Sequence, residues 1–589
     1  MKKIKPYCIQ LLLVSLIICQ GSCVKTADKE NMKEPIEWFQ DARFGIFIHY
    51  DASSVYGDIY ENAGIEIGQK RFSQDKYVDI YKQFNPVNFD AEQWAGIFKA
   101  SGARYVSFTT KHSYGLHMWD NPLFDKDIMA TPFKRDMCKE LSDALHDQDI
   151  KLFWYYNSYD RLYPNFLEEM EDSLSSYWEF RRQSIEQLLT NYGHITGIWW
   201  DGAPKYHNQE LVNFVKSINP DILMTGRLGI KGDYGTPEQI IGAFDIENPW
   251  ESCYAIEGIN WMWAGGKDVK DIPTCIKTLI NCAVGGGNLL LNISPMPNGD
   301  IQPEQVTSLL GIGKWLEKYG ASIYGTRGGP YQPGTWGGST RKDNKIYLHL
   351  MQQIETGILE LPGIPFEIKN YRLLTEGEIS VEQNDKIIIS LDPIAAHPDV
   401  CTVVELELDS SAMEISPIKT DFDDQSLSAD AQVTASSQKF PNTPPEAVIY
   451  HSELEDRTQE YRKLIRARNR NLQIPPELQN FPEWTFTPRE RGFRLRYWRA
   501  GDEDQNARLT FDMGEAVTFS QVRIMEKFNR IRAFELQYFE NGKWISFYKG
   551  SKMNYFSLKH SPIKSQKVRL LVTKTEGGAP AIKMFDLFL

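Results

Sequence analysis

Positive charge is what this chain is short of. Its 589 residues carry 65 Lys and Arg against 78 Asp and Glu, a formal net charge of −13. Phosphate contact and counterion release need a cationic footprint, so no nucleic acid is expected as a main partner, and no anionic membrane surface. Cysteine is scarce as well. Of eight, Cys8, Cys19 and Cys23 fall in the first 23 residues, leaving Cys138, Cys253, Cys275, Cys282 and Cys401. These five form no Cys-x-x-Cys pair and no Cys/His cluster with zinc spacing, so no metal is expected to hold the fold, and their odd scatter argues against a disulfide framework. The apolar run at the N-terminus, Ile9 to Cys19, is too short to span a bilayer as a mature helix.

That run has another reading. Lys2, Lys3 and Lys5 precede it and Gly21-Ser22-Cys23 ends it, the layout of an export signal over residues 1–23. Small residues before a cysteine resemble a bacterial lipoprotein cleavage box, which implies a lipid on Cys23 and a place in the periplasm or at the outer membrane or cell surface. Gln20 stands where leucine is usual, and an ordinary signal cut near Ser22 is the alternative. Membrane contact is expected only through a lipid on Cys23, and on the alternative reading there is none.

Aromatic residues, by contrast, abound: 15 Trp, 28 Tyr and 30 Phe. At this length two to four domains are expected. From about residue 36 to 330, short apolar runs alternate with helical patterns. The runs are Phe44–Tyr50, Tyr105–His112, Lys151–Ser158, Gly197–Gly202, Ile222–Arg227 and Asn288–Pro295. Helical periodicity lies between them, as in Ala91–Ala100 behind a capping Asp90, Arg135–Gln148, Glu168–Asn191, Gln209–Ile218 and Pro303–Tyr319. Such units fit an open doubly wound sheet or a (β/α)8-like TIM barrel. Placement of the polar residues favours the barrel: His49, His112, Asn157, Asp201 and Arg227 all stand where proposed strands end, and in a barrel those ends converge on one mouth.

After the Gly- and Pro-rich stretch 325–338 the helical pattern stops. Short strand-like runs over 331–418 predict a small antiparallel β-sandwich, and 430–589 predicts a second, C-terminal one. The charged run Leu454–Asn471 reads as a solvated surface segment.

Two acids draw attention. Asp201 closes the apolar "GIWWDG", and Glu251 follows Trp250 in "NPWESC". For one such acid, capping a loop is the ordinary explanation. Two acids from different barrel elements, each beside an indole, match what glycoside hydrolysis needs: one to attack the anomeric carbon, the other to protonate the leaving oxygen, with aromatic faces on which a sugar stacks.

Seven stretches then carry a specific resemblance: "WFQDARFGIFIHY", "TTKHSYGLHMWD", "GIWWDG", "GDYGTPEQ", "PWESC", "GGGNLLLNISPMPNGDI" and "YGTR". In this order they resemble the retaining α-L-fucosidases of glycoside hydrolase family 29. The resemblance implies an exo-acting glycosidase with Asp201 as nucleophile, Glu251 as acid/base, and His49, His112, Tyr155, Trp199, Arg227 and Trp261 around the sugar of a fucosylated oligosaccharide or glycan, with no metal or cofactor in catalysis. Tyr50 and Ser113 depart from the family, which has tryptophan and a second histidine there. A roomier pocket beside Ser113 keeps α-L-galactosidase open as an alternative, and a non-catalytic glycan-binding protein is the alternative of another class. Residues 429–438, 507–544 and 567–572 resemble a discoidin-like, coagulation factor C-type, galactose-binding-like jelly roll, a resemblance that leaves room for a structural calcium.

Overall fold

The computed structural model describes residues 34–56, 79–164, 176–202, 208–228, and 232–420 except 243, 259, 267, 335 and 355; beyond these it describes 426–428, 431–439, 445–448, and 497–588 except 529, 552 and 554. The expected export signal with Cys23, and the charged run 454–471, lie outside the described residues.

Seven parallel strands form the first sheet: β1 (Phe44–Ile48), β2 (Tyr105–Lys111), β3 (Lys151–Asn157), β4 (Gly197–Asp201), β5 (Leu223–Met224), β6 (Glu251–Ala255) and β7 (Asn288–Ile293). Their order is β5-β4-β3-β2-β1-β7-β6. Between β5 and β6 the wall is completed by an irregular stave, residues 233–239. Its Asp233 N–H donates to Met224 O (2.8 Å) and its Gln239 N–H to Cys253 O (2.9 Å), and parallel bridges join Thr225 to Tyr234 and Glu238 to Cys253. The sheet therefore curls into a barrel with eight positions in its wall.

The strands are apolar along their length because both faces are covered, as parallel sheets require. Alternate residues divide between two cores. Phe44, Ile46 and Ile48 pack outward against the helices, as do Ile198 and Trp200. Phe47, Tyr105, Phe153, Tyr155 and Trp199 point inward and fill the barrel with aromatic rings. Rings this large need gaps opposite them. A Cβ on Gly197 would lie 2.2 Å from the Phe153 ring, and one on Gly45 would lie 2.4 Å from Tyr105.

Helices on the outside start where short acids cap free N–H groups. Asp90, Asp136 and Asp271 accept from the N–H three residues on, at the heads of Ala91–Ala100, Met137–Asp147 and Ile272–Val284. Pro303–Tyr319 forms as its periodicity predicts. The floor is closed by the helix Pro35–Ala42 and by buried Arg43, whose Nη1 donates to Gly286 O (2.7 Å) and Gly287 O (2.9 Å).

Beyond the barrel come two antiparallel sheets, of five and three strands, spanning Arg327–Leu408. One shared core joins them, including Ile346 and Leu348 from the larger sheet and Leu359 and Ile389 from the smaller. That is a β-sandwich. The C-terminal strands, from Gln432 to Phe588, form a seven-stranded antiparallel sheet with its own core around Trp498, Phe511, Phe534 and Phe585. The five cysteines named above are all free and buried.

Candidate active site

Parallel strands end on one side, and the polar strand-end residues meet there. Asp201 is the last residue of β4, with its side chain 25% exposed. Its Oδ1 accepts from Arg227 Nε (3.1 Å), while Oδ2 accepts from the Tyr155 hydroxyl (2.7 Å) and from Asn157 Nδ2 (3.3 Å). Burial, the largest influence, raises the pKa of this carboxyl. Arg227, the Tyr155 hydroxyl, the Gly202 N–H and His112 together outweigh it, so the net shift is downward and Asp201 stays ionised. Gly202 is there because the chain must turn at once. It sits at φ +106, and a Cβ would lie 2.0 Å from Ser158 Oγ.

Arg227 lies in the short turn 226–228 after β5, its guanidinium over the Trp199 ring, 4.7 Å from the centroid. Besides Asp201, it holds a second carboxylate: Nη2 donates to Glu238 Oε2 at 2.8 Å. Burial lowers the pKa of Arg227 most, but the two acids overcome that and raise it. With ~2.3 Å between neighbouring guanidinium nitrogens, the bonded oxygens of Asp201 and Glu238 are at most ~8 Å apart.

His49 and His112 directly follow β1 and β2. Their rings stand 5.5 Å apart, and Tyr155 is 5.3 Å from His49 and 5.6 Å from His112, stacked on the latter. Trp261 covers His49 at 5.0 Å between centroids. Burial, followed by the neighbouring His112, lowers the His49 pKa to about 3, and burial lowers that of His112 too. Both rings are neutral at ordinary pH, suited to hydroxyl groups rather than to anions. Of the two departures, Ser113 Oγ lies 3.3 Å from His112 Nδ1. Tyr50 packs outward against Phe84 and Trp94, and its hydroxyl donates to Met296 O (2.9 Å).

Seven of the eight residues named from the sequence therefore gather at or just below this mouth. Glu251 does not. It is the first residue of β6, paired with Asn288 at the start of β7, and so lies at the floor end of the strand with no exposed surface. The Tyr105 hydroxyl donates to its Oε2 (2.5 Å) and Trp199 Nε1 to its Oε1 (2.9 Å). Burial pushes its carboxyl up to about 7 against the pull of those two donors. The bulky residues before Glu251 mark where a strand begins, whereas those before Asp201 are the strand itself. An indole beside an acid does not tell the two apart.

The acid that the strand patterns miss is Glu238, in "GDYGTPEQ". Its stave lacks strand alternation, and Gly235 and Pro237 read as a loop. Arg227, its partner, stands 11 residues earlier, a separation that no strand or helix period marks.

Residues 15–321 match the family model described as Alpha-L-fucosidase, and residues 484–586 that of the F5/8 type C domain. The plasma α-L-fucosidase of Homo sapiens is 29% identical over 409 residues, which cover 62% of this chain and 87% of that protein. The tissue α-L-fucosidase of Homo sapiens is 28% identical over 367 residues, 55% of this chain and 77% of that one. Among solved structures, α-L-fucosidase isoenzyme 1 from Paenibacillus thiaminolyticus superposes with a TM-score of 0.57 at 29% identity, covering 64% of this chain and 99% of that one. An α-L-fucosidase from Vibrio sp. strain EJY3 shares the fold across 95% of this chain and 98% of its own, with a TM-score of 0.61 at 18% identity. Since the first family model spans just over half of the 589 residues, the chain belongs to the α-L-fucosidase family, glycoside hydrolase family 29, and carries a C-terminal F5/8 type C domain.

Proposed function

We propose that this chain is an exo-acting, retaining α-L-fucosidase that removes terminal fucose from a glycan by double displacement. Asp201 is the nucleophile, as the resemblance implies. For the acid/base we assign Glu238 in place of Glu251. The observation that carries this is the single guanidinium of Arg227 bonded to both Asp201 and Glu238. It brings two partly exposed carboxyl groups to one mouth, whereas Glu251 has no path to a leaving group.

In the first step Asp201 Oδ attacks C1 of the fucosyl ring while Glu238 gives its proton to the glycosidic oxygen, so the C1–O bond to the aglycone breaks as the bond to Asp201 forms. In the second, Glu238 takes a proton from water, whose oxygen displaces Asp201 from C1. Charge grows on Glu238 as it donates, beside Arg227, which cannot lose its own proton. His49, His112, Tyr155 and Trp261 line the sugar, and Trp199 supports Arg227 from below. The names of the relatives support fucose as the sugar. A family 29 enzyme from Bacteroides thetaiotaomicron was trapped as a covalent intermediate with 2-fluoro-fucosyl fluoride, which supports a two-step path here.

The test is hydrolysis of an aryl α-L-fucoside by the purified chain, followed by NMR of the first-formed sugar. Release of α-L-fucose is expected. Release of β-L-fucose, or none, would overturn the proposal.

A further inference from the structure

One buried amide ties two of the pocket residues together. Asn292, the last residue but one of β7, is sealed from solvent. Its Nδ2 donates to the main-chain carbonyl of Trp261 (2.8 Å), and its Oδ1 lies 2.6 Å from Nδ1 of His49. A carbonyl can only accept, so the amide must turn its NH2 toward Trp261 and its oxygen toward the ring. An oxygen at Nδ1 demands that the imidazole proton sit on Nδ1. Burial, the neighbouring His112 ring and Arg227 outweigh Asn292 and Asp201 and keep this imidazole neutral, with a pKa near 3. A neutral ring with its proton on Nδ1 has a bare lone pair on Nε2, and no described residue bonds that nitrogen.

We infer that Asn292 is a positioning residue that makes His49 an obligate hydrogen-bond acceptor, so that the pocket selects a sugar hydroxyl able to donate at that point. The same amide pins Trp261, whose loop is otherwise tied down by Glu257, a buried carboxylate accepting from the Gly266 N–H (2.9 Å) and the Ser294 hydroxyl (3.0 Å). Acceptor and aromatic platform are thus held by one side chain. An asparagine at the end of a core strand could simply satisfy strand neighbours. Here both ends of the amide go instead to residues of the mouth.

The inference rests on reading this mouth as a fucoside site, and two measurements separate the two claims. The first needs no substrate. With imidazole 15N-labelled histidine in the full chain, and the His49 signal assigned by its loss in His49→Gln, the ring should be neutral with the proton on Nδ1. A proton on Nε2 overturns the inference, whatever the activity.

The second uses aryl α-L-fucosides in which the C3 or C4 hydroxyl is replaced by fluorine, which cannot donate. At one position the native chain should lose ~10²-fold or more in kcat/KM, because a lone pair built to receive a proton is left unpaired. In Asn292→Leu the ring is free to take the other tautomer, and that fluorine penalty should shrink by ~10-fold. An unchanged penalty in a folded Asn292→Leu overturns the inference. Should that variant not fold, the tautomer measurement on the native chain still decides.

Discussion

Arg227 cannot give up its proton, and between them Asp201 and Glu238 use two adjacent nitrogens of its fork. Removing either acid leaves the other paired, so each variant should fold, and the products should reveal which acid is which. Asp201→Ala should lose ~10³-fold or more in kcat. With azide it should make β-L-fucosyl azide, since the anion enters opposite the aglycone in a single inversion. Glu238→Ala should still form the covalent intermediate from substrates with good leaving groups, and azide should then give the α-azide after two inversions. The same anomer from both variants would refute the assignment. Glu251 should behave as a stability residue. Its carboxyl titrates near 7 in the fold and near 4.5 when unfolded, so the folded chain holds the proton more tightly. That stability is complete below about pH 4.5 and is lost as pH rises through 7, by about 3 kcal/mol. Glu251→Gln has no such charge to bury. Its Tm relative to the native chain should rise between pH 5 and pH 8, and a constant difference would count against this reading.

Strands that alternate inward and outward residues are easy to see in a sequence, and most of the barrel was. Gly197–Asp201 shows why: three bulky residues packed on two sides, then a carboxylate where the strand runs out. Helices with a capping acid and a periodic face were equally readable. Three things were not, and the first is β6 (Glu251–Ala255), whose polar start at Glu251 and Ser252 sets it apart from the apolar runs. The stave 233–239 is held by a handful of main-chain bonds and has no side-chain period, so Glu238 went unassigned. The direction of burial around Glu251 was invisible too, because composition beside a residue does not say at which end of a strand it stands. Gly197 tests the packing itself. In Gly197→Ala a methyl would meet the Phe153 ring at 2.2 Å and the Leu223 carbonyl at 2.9 Å, which should destabilise the barrel by roughly 1–3 kcal/mol. A lowered urea midpoint for loss of the near-ultraviolet aromatic signal is the expected result. No shift would mean that the ring has another place to go.

Among the described residues four hydrophobic clusters pack the molecule, two of them in the barrel, and the aromatic residues of the mouth belong to the inner barrel cluster. If Cys23 carries a lipid, as the export reading expects, Cys23→Ala should move the chain from the membrane fraction to the soluble one. Unchanged fractionation would point to an ordinary signal or a different anchor. The two assigned acids are both moored in the barrel wall. Asp201 belongs to a strand in register with β3 over five consecutive pairs, so residues cannot be inserted before it without dislocating the sheet. Glu238 rides on the stave, which keeps a constant offset from β6 through the bridges Gly235–Trp250 and Glu238–Cys253 and the main-chain bonds between them. Both carboxyl groups therefore take their spacing from the barrel wall, and a residue inserted within either segment would throw the attacking atom and its counterpart out of step.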